Sequence, residues 1–261
     1  MLCNLKEIQT HISSESYCSH PGKPSELQYL NDIDIQDYNL ITTIYKNGFA
    51  VLNVKDKPLL SILRNLSKVL GRQVKDGGIN KKYVAKIEAA KNGKFYINTV
   101  ISQPLHMDEG YRKVFPRFVS LYCIRPSQVG GLSTIVKVSE LLNELSRVFK
   151  EDMDKLFQPN FIEIDTACGK VSKQILFYTN TNAIGMSYSP MFRDIKTSSI
   201  GYEIISFINH FIHDPNNQYR LLLKENDLLL MDNCQVFHGR TAFNENDNRL
   251  LLRLWNDVCS L

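Results

Sequence analysis

The chain has 261 residues, of which 43% belong to the apolar class and 22% are charged. This ordinary composition excludes disorder and collagen-like repeats, and a chain of this length can bury about 73% of its unfolded surface, enough for one large domain. The formal net charge of +4 is too small to indicate nucleic acid or an anionic membrane as a partner.

The cysteines and the N-terminal residues indicate a reducing compartment. The six cysteines are scattered, with no CxxC pair and no dense framework of the kind found in small secreted domains. Charge appears at once, at Lys6 and Glu7, so there is no apolar run suited to a signal peptide. No window approaches the roughly 18 apolar residues of a membrane-spanning helix. We therefore expect a soluble, cytoplasmic protein.

The predicted elements begin after a polar arm. Residues 1–30 are rich in Ser, His, Pro and Gly and predict a partly ordered arm. No repeat or composition break follows, so residues 31–261 are expected to form a single domain. Hydrophobic spacing predicts two helices, each ended by a glycine, with a short strand between them: residues 37–47 before Gly48, residues 49–54, and residues 59–70 before Gly71.

Residues 75–94 are rich in lysine and low in hydrophobicity. This pattern predicts a solvated loop and a surface helix rather than a basic docking patch. The few apolar side chains of the segment also predict that it is mobile when no ligand is bound.

The second half of the chain is dominated by short β-branched and aromatic runs separated by turn residues. This texture predicts a β sandwich or barrel. The predicted strands are residues 118–124, 133–138, 161–164, 175–178, 221–223, 228–231 and 250–255. Helical spacing interrupts them twice, at residues 139–157 and 201–213.

Three features of this β-rich region carry potential chemistry. His106 and Asp108 are two residues apart, so on a strand both side chains would point to the same side. His238 follows an apolar run and a polar turn, where a histidine past a strand end can reach back across a barrel. Arg253 alternates with leucines on a predicted apolar strand. A cation on such a strand is unfavourable unless an anion pairs with it.

Together these residue types are typical of one kind of metal site. Two histidines and one carboxylate on one face of a metal leave three coordination positions open, which is the arrangement of non-haem Fe(II) oxygenases. A nearby arginine supplies a planar fork suited to a dicarboxylate.

The motifs around these residues resemble those of a known family. The chain has His-x-Asp, then Asp-Asn-x-x-x-x-His-Gly-Arg-Thr-Ala-Phe at residues 232–243, then Arg-x-x-x-Arg-x-Trp-x-Asp at residues 249–257. This pattern resembles the Fe(II)/2-oxoglutarate-dependent dioxygenases, and within them the taurine dioxygenase/clavaminate synthase-like family. The resemblance extends from about residue 37 to the end of the sequence.

The resemblance implies a role for each matching residue. His106, Asp108 and His238 would be the iron ligands and the catalytic centre. Arg253 would hold the distal carboxylate of 2-oxoglutarate. The family's Gly-Gly-x-Thr appears here as Gly-Gly-Leu-Ser-Thr, so the assisting hydroxyl belongs to Ser133 or Thr134.

The resemblance also implies the fold and the reaction. The fold class is α+β with a mostly β core, a double-stranded β-helix (jelly roll) flanked by helices. The reaction is hydroxylation of an unactivated C–H bond of a small molecule, an amino acid or a specialised metabolite, with Fe(II) as cofactor, 2-oxoglutarate as cosubstrate and O₂ as oxidant, releasing succinate and CO₂. Desaturation, epimerisation and ring closure stay open, and the rival hypothesis is a non-catalytic jelly-roll protein that binds a metal or small ligand.

Two assignments rest on position in the sequence. Asn98, which precedes the His-x-Asp segment, is a candidate substrate-binding residue, and so are Tyr188 and Arg193 of residues 185–194, because Arg193 could bind a substrate carboxylate. Arg253 is preferred to Arg249 as the cosubstrate anchor because Arg249 adjoins a polar turn and is expected near solvent.

Overall fold

The computed structural model describes most of the chain. The described residues are 5–23, 38–75, 82–90, 93, 95–166, 169–190 and 195–261. Within them the protein is mixed α+β with mostly β content, and its sheets are antiparallel. No helix in these ranges is long and apolar enough to cross a membrane.

The α-helices of the described ranges lie before and between the strands. They are α1 (Leu5–Ile12), α2 (Glu15–Ser19), α3 (Tyr38–Asn47), α4 (Leu59–Leu70), α5 (Val138–Val148) and α6 (Ser199–His213). The described residues also form 3₁₀ helices at Tyr96–Asn98, Lys150–Phe157 and Pro215–Asn217. Helices α3, α4 and α6 confirm the predicted helices, whereas the predicted helix at 139–157 divides into α5 and a 3₁₀ segment.

Fifteen strands are found in the described residues. They are β1 (Phe49–Asn53), β2 (Gln73–Val74), β3 (Val84–Glu88), β4 (Gln103–His106), β5 (Val114–Arg125), β6 (Ser133–Lys137), β7 (Ile162–Thr166), β8 (Gly169–Lys173), β9 (Leu176–Tyr178), β10 (Ile184–Met186), β11 (Ile195–Lys196), β12 (Tyr219–Leu221), β13 (Asp227–Asp232), β14 (Val236–Arg240) and β15 (Leu250–Ser260).

Two sheets build the centre of the fold. The larger has the order β1-β13-β5-β15-β2, with β3 also pairing with β15, and the smaller has the order β12-β6-β14-β4. One buried apolar cluster contains residues from both sheets, including Val119, Leu251 and Trp255 of the larger sheet and Ile135 and Val236 of the smaller. The two sheets therefore face each other across a shared interior.

Helices cover the outer faces of both sheets. In β13, Leu229 and Met231 belong to the interior cluster, whereas Leu228 and Leu230 pack in a separate cluster with residues of α3 and α4. The outer face of the smaller sheet packs with α5 and α6. Covering both faces explains why strands such as β13 are continuously apolar in the sequence.

The structure corrects part of the predicted lysine-rich loop. Val84–Glu88 is strand β3 and not a loop or surface helix, and it buries Ala85 and Ile87 against β15. Apolar and charged residues alternate in this strand, but the many lysines around it mask this β pattern in the sequence. Residues 76–81, 91–92 and 94 of the same segment lie outside the described residues, and its mobility stays a prediction.

The predicted N-terminal arm contains helices α1 and α2, which pack on the domain. Ile8, Ile12 and Tyr17 form a small buried cluster. Arg220 of β12 donates hydrogen bonds to the carbonyl oxygens of Tyr17 and His20, the second at 2.8 Å. The arm is thus anchored to the smaller sheet, because a buried arginine satisfies the backbone at the end of α2.

We predict that Arg220→Ala lowers the free energy of unfolding by about 2–4 kcal/mol, because it leaves buried carbonyl oxygens without donors. Urea denaturation of the variant measures this loss. Arg147→Ala is the matched control, since Arg147 is exposed and pairs with its helix neighbour Glu144, and it should leave stability nearly unchanged. Equal stability of the two variants would contradict the proposed anchoring of α2.

Candidate active site

The two histidines face each other across the smaller sheet. His106 ends β4 and His238 lies within β14, and the two residues are direct partners in the antiparallel pairing of these strands. Their ring centroids are 4.6 Å apart. His238 shares the inward face of β14 with Val236, so both imidazoles point into the interior between the sheets. The sequence-based placement of His238 past a strand end is therefore wrong.

Asp108 lies beyond the end of β4, in a turn held by an asparagine. The amide N–H of Asp108 donates to Oδ1 of Asn233 at 2.8 Å, and Nδ2 of Asn233 donates back to the Asp108 carbonyl at 2.9 Å. The same Nδ2 also donates to the carbonyl of Pro116 at 2.9 Å. Asn233, in the turn between β13 and β14, therefore fixes the Asp108 backbone relative to two strands.

A buried lysine supports the other end of the same turn. Nζ of Lys173 donates to the Gly110 carbonyl at 2.6 Å and to both the carbonyl and the hydroxyl of Ser187, at 2.8 and 2.6 Å. Neither Lys173 nor Asn233 was predicted from the sequence as a site residue. The Asp-Asn motif ahead of His238 could have indicated Asn233. The role of Lys173 has no such local motif, because it depends on backbone atoms that are distant in the sequence.

The three predicted ligands converge on one point. Nε2 of His106 and Nε2 of His238 lie 3.3 and 3.8 Å from Oδ1 of Asp108. The potential ligand atoms of the three residues all lie within 4.8 Å of one another, and all three side chains are buried. Such a cluster can hold one metal ion without moving a strand.

The protonation states suit metal ligation. Burial alone would raise the pKa of Asp108, but the charge of Arg253 holds this pKa well below its usual range. Burial lowers the pKa of His238 to about 3, so its imidazole is neutral. Nδ1 of His106 lies 2.9 Å from the Pro104 carbonyl. Because a carbonyl only accepts, this contact assigns the ring proton to Nδ1 and leaves the Nε2 lone pair toward Asp108.

Two side chains of β15 hold the Asp108 carboxylate. Nε1 of Trp255 donates to Oδ2 at 2.7 Å, and Nη1 of Arg253 lies 3.1 and 3.2 Å from the two carboxylate oxygens. From the sequence, Trp255 is most simply a core residue. The structure shows that it also positions the carboxylate, with Leu251 and Arg253 on the same inward face.

A small cavity adjoins His238 on the inward side. Its lining includes Ser133, His238, Arg240, Arg249 and Arg253. Arg249 is 6% exposed and Arg253 is 9% exposed. The expectation that Arg249 lies near solvent is therefore wrong, because its side chain packs against Phe243 and Gly131.

The cavity concentrates positive charge. Burial lowers the pKa of Arg249 to about 10, and burial together with the Arg249 charge lowers the pKa of Arg240 to about 9. The guanidinium groups of Arg240 and Arg249 lie over the ring of Phe243, at 4.7 and 5.6 Å from its centroid. In the part of the chain that the structure describes, neither arginine pairs with a carboxylate. An anion entering the cavity would offset this buried charge.

The remaining predicted residues lie in different surroundings. Asn98 ends a 3₁₀ helix, and its side chain accepts from the Phe95 amide at 2.9 Å. Tyr188 is 1% exposed and donates from its hydroxyl to Oδ1 of Asn209 at 3.0 Å. Arg193 lies outside the described residues. The structure does not bring Asn98 or Tyr188 to the cavity lining described above.

The donor set defines the class of protein. Two imidazoles and one carboxylate on one side of a buried space are a group that could hold one metal ion, and this donor set is the one that non-haem iron oxygenases use. The profile of the "Taurine catabolism dioxygenase TauD, TfdA family" matches residues 30–255, so the chain belongs to this family. The predicted class, an Fe(II)/2-oxoglutarate-dependent dioxygenase, is confirmed at the level of the family.

Individual relatives agree with this assignment. The chain is 24% identical over 186 residues to 3-((Z)-2-isocyanoethenyl)-1H-indole synthase of Fischerella ambigua (strain UTEX 1903), covering 63% of this chain and 66% of the relative. It is 25% identical over 173 residues to dioxygenase str8 of Strobilurus tenacellus, covering 61% of this chain and 39% of the relative. The chain thus matches less than two thirds of the length of either protein.

Solved structures share the fold. An asparagine oxygenase in complex with Fe(II), 2S,3S-3-hydroxyasparagine and succinate has a TM-score of 0.68 and 14% identity, over 96% of this chain and 89% of that one. The non-haem iron oxygenase OrfP with Fe and alpha-ketoglutaric acid has a TM-score of 0.67 and 16% identity, over 85% and 78%. PvcB from Pseudomonas aeruginosa has a TM-score of 0.63 and 16% identity, over 89% and 83%.

We predict that His106→Ala and His238→Ala each weaken divalent metal binding at least tenfold, because each removes one of three protein ligands. Equilibrium dialysis with Mn(II) or Co(II) measures the change. His210→Ala is the control, because His210 is exposed on α6 and bonds to its own helix. Unchanged metal affinity in the two ligand variants would contradict the assignment.

Proposed function

We propose that the protein is an Fe(II)- and 2-oxoglutarate-dependent oxygenase that hydroxylates an unactivated C–H bond of a small molecule. The observation that carries this proposal is a buried two-histidine, one-carboxylate cluster beside a cavity lined by Arg240 and Arg249, which find no carboxylate partner among the described residues. The chemistry that a ferrous ion would supply here is the oxidative decarboxylation of 2-oxoglutarate to succinate and CO₂, coupled to hydroxylation by O₂.

The finer description of the fold belongs to the same proposal. Two antiparallel sheets that face each other across a common apolar cluster, with helices outside, are the arrangement of a double-stranded β-helix or jelly roll. In such a fold the ligands project inward from the smaller sheet. This explains why the ligand cluster is buried and why the Asp108 charge needs partners from β15.

Different residues of the protein hold the metal and position its ligands. His106, Asp108 and His238 would hold the metal, and Trp255 and Arg253 orient the carboxylate so that one oxygen faces the two imidazoles. Asn233 fixes the Asp108 backbone. Positioning of this kind keeps the ligands in place before any small molecule arrives, so that binding does not have to order them.

The cavity favours Arg249 as the anchor of the distal carboxylate of 2-oxoglutarate. The sequence prediction was Arg253, but Nη1 of Arg253 is already within hydrogen-bonding distance of Asp108. Arg249 lies buried in the adjoining cavity and packs closely on Gly131, where a Cβ atom would lie only 3.2 Å from its Cδ. A guanidinium there is placed for a carboxylate that extends away from the metal.

Strand alternation favours Ser133 over Thr134 as the assisting hydroxyl. Ser133 shares its face of β6 with Ile135, which belongs to the interior cluster, and it lines the cavity. Thr134 shares the opposite face with Val136, which packs toward α5 and α6. We therefore assign the hydroxyl that accompanies Arg249 to Ser133.

The substrate class is supported by likeness alone. The asparagine oxygenase structure holds hydroxyasparagine, and an OrfP structure holds (3S)-hydroxy-L-Arg with succinate. These neighbours favour an amino acid as the substrate, and the indole synthase favours a specialised metabolite. The non-catalytic alternative is less favoured, because a binding protein would have no need to retain three ligands together with their positioning residues.

We predict that the Fe(II)-loaded protein converts 2-oxoglutarate to succinate, and that the true substrate raises this turnover at least tenfold. A panel of amino acids and metabolites with a succinate assay measures the rise, and mass spectrometry of the panel detects a gain of one oxygen atom. His238→Ala should abolish both signals, while His210→Ala should retain them. Metal binding without any succinate formation would favour the non-catalytic alternative.

We predict that Arg249→Ala raises the Kd for 2-oxoglutarate by roughly thirty-fold or more, since losing a buried charge-assisted pair typically costs about 2–5 kcal/mol. Calorimetric titration of the Mn(II)-loaded protein measures this Kd. Arg253→Ala should act first on metal affinity, because Arg253 contacts the metal ligand Asp108. If Arg253→Ala raises the 2-oxoglutarate Kd more than Arg249→Ala at full metal loading, the anchor is Arg253 as the sequence predicted.

A further inference from the structure

Two cysteines distant in sequence lie in contact behind the metal site. Cys234 is in the turn between β13 and β14, and Cys259 is near the end of β15. Their Sγ atoms are 3.2 Å apart. Both thiols are free in the structure, and no role in metal or cosubstrate binding falls to either of them.

The surroundings of the two thiols differ in access. Cys234 is fully buried, whereas Cys259 is partly exposed and lines a cavity of about 170 Å³ together with Arg117, Phe177 and Tyr178. A small polar reagent can therefore reach Cys259 from this cavity. Cys234 itself is shielded from solvent.

A buried arginine places positive charge beside the pair. Nη1 of Arg117 donates to Sγ of Cys259 at 3.6 Å, and Nη2 of Arg117 donates to Oδ2 of Asp232 at 2.6 Å. The hydrogen bond from Cys234, aided by Arg117, lowers the pKa of Cys259 to about 7, while burial raises the pKa of Cys234. The pair thus combines one accessible thiol that ionises near neutral pH with one buried neutral thiol, as in other reactive dithiols.

We propose that Cys234 and Cys259 form a redox-active pair that closes to an intramolecular disulfide on reaction with hydrogen peroxide or a related hydroperoxide. Bond formation requires the sulfur atoms to approach from 3.2 Å to about 2.05 Å, a movement of roughly 1 Å. Strand β15 ends at Ser260, one residue after Cys259, so a small movement of this strand end can supply the approach.

The reaction proceeds in two balanced steps. The Cys259 thiolate attacks one peroxide oxygen, the O–O bond breaks, and Cys259 becomes a sulfenic acid while hydroxide takes up a proton and leaves as water. The Cys234 thiol then attacks the Cys259 sulfur, the S–O bond breaks, and the second oxygen leaves as water with the Cys234 proton. Overall two thiols lose two electrons, and one hydrogen peroxide is reduced to two waters.

The same geometry sets this pair apart from the other cysteines that the structure describes. Sγ of Cys123 is buried and points to the Leu223 carbonyl at 3.8 Å. Sγ of Cys18 lies 3.6 Å from both the Ile12 carbonyl and the Ser102 hydroxyl. Neither of these two thiols contacts a second sulfur in the described residues, so neither has a resolving partner at hand.

The test treats the full chain with a small excess of hydrogen peroxide in the presence of a chelator, which prevents iron-catalysed oxidation. We expect the free thiols to fall from six to four per chain, with the intact mass lower by about two hydrogen atoms and full recovery after dithiothreitol. Trypsin cuts after Lys224, Arg240 and Arg253, so the disulfide should link peptide 225–240 to peptide 254–261.

Single variants decide between this pair and general oxidation. Cys259→Ala and Cys234→Ala should each abolish the linked peptide, whereas Cys18→Ser, a control of similar exposure to Cys259, should retain it. If Cys234→Ala does not fold, the partly exposed Cys259→Ala carries the test. Peroxide treatment that leaves both thiols free, oxidises Cys259 without the link, or joins Cys234 to a different cysteine would overturn the proposal.

Discussion

The buried negative charge of Asp108 is the constraint on which the site depends. A carboxylate removed from water is costly unless it is paired and hydrogen-bonded, and this one receives the Trp255 indole and the Arg253 guanidinium. Its backbone is held by Asn233. These partners come from the opposite sheet and from the β13–β14 turn, so the carboxylate can be accommodated only when both sheets have assembled.

The arginines turn the interior into a site for anions. Arg253 compensates Asp108, but Arg249 and Arg240 add two more positive charges within the same space, and burial lowers the pKa of both. Buried guanidinium groups of this kind cost stability in the absence of a ligand. A dicarboxylate such as 2-oxoglutarate would offset that cost on binding, which gives a physical reason for the protein to retain charges that weaken its own core.

One short turn connects the metal site to the thiol pair. Within residues 232–234, Asp232 accepts from Arg117, Asn233 holds the Asp108 backbone, and Cys234 contacts Cys259. These buried contacts hold three successive residues of the turn in place. The candidate redox pair is therefore one residue from the side chain that positions a metal ligand.

The sequence alone indicated the class of protein and its candidate metal ligands, and tertiary structure decided which side chains surround them. His106, Asp108 and His238 stand in short motifs that resemble those of a known family, and this resemblance implied their chemistry, while apolar periodicity predicted most helices and strands. The position of His238 within β14, the burial of Arg249 and the bonds from Asn233 and Trp255 to Asp108 could not be predicted. Each of these features depends on which strands become neighbours in the folded protein. The contacting residues are separated by 100 or more positions in the sequence, so no local pattern predicts their contact.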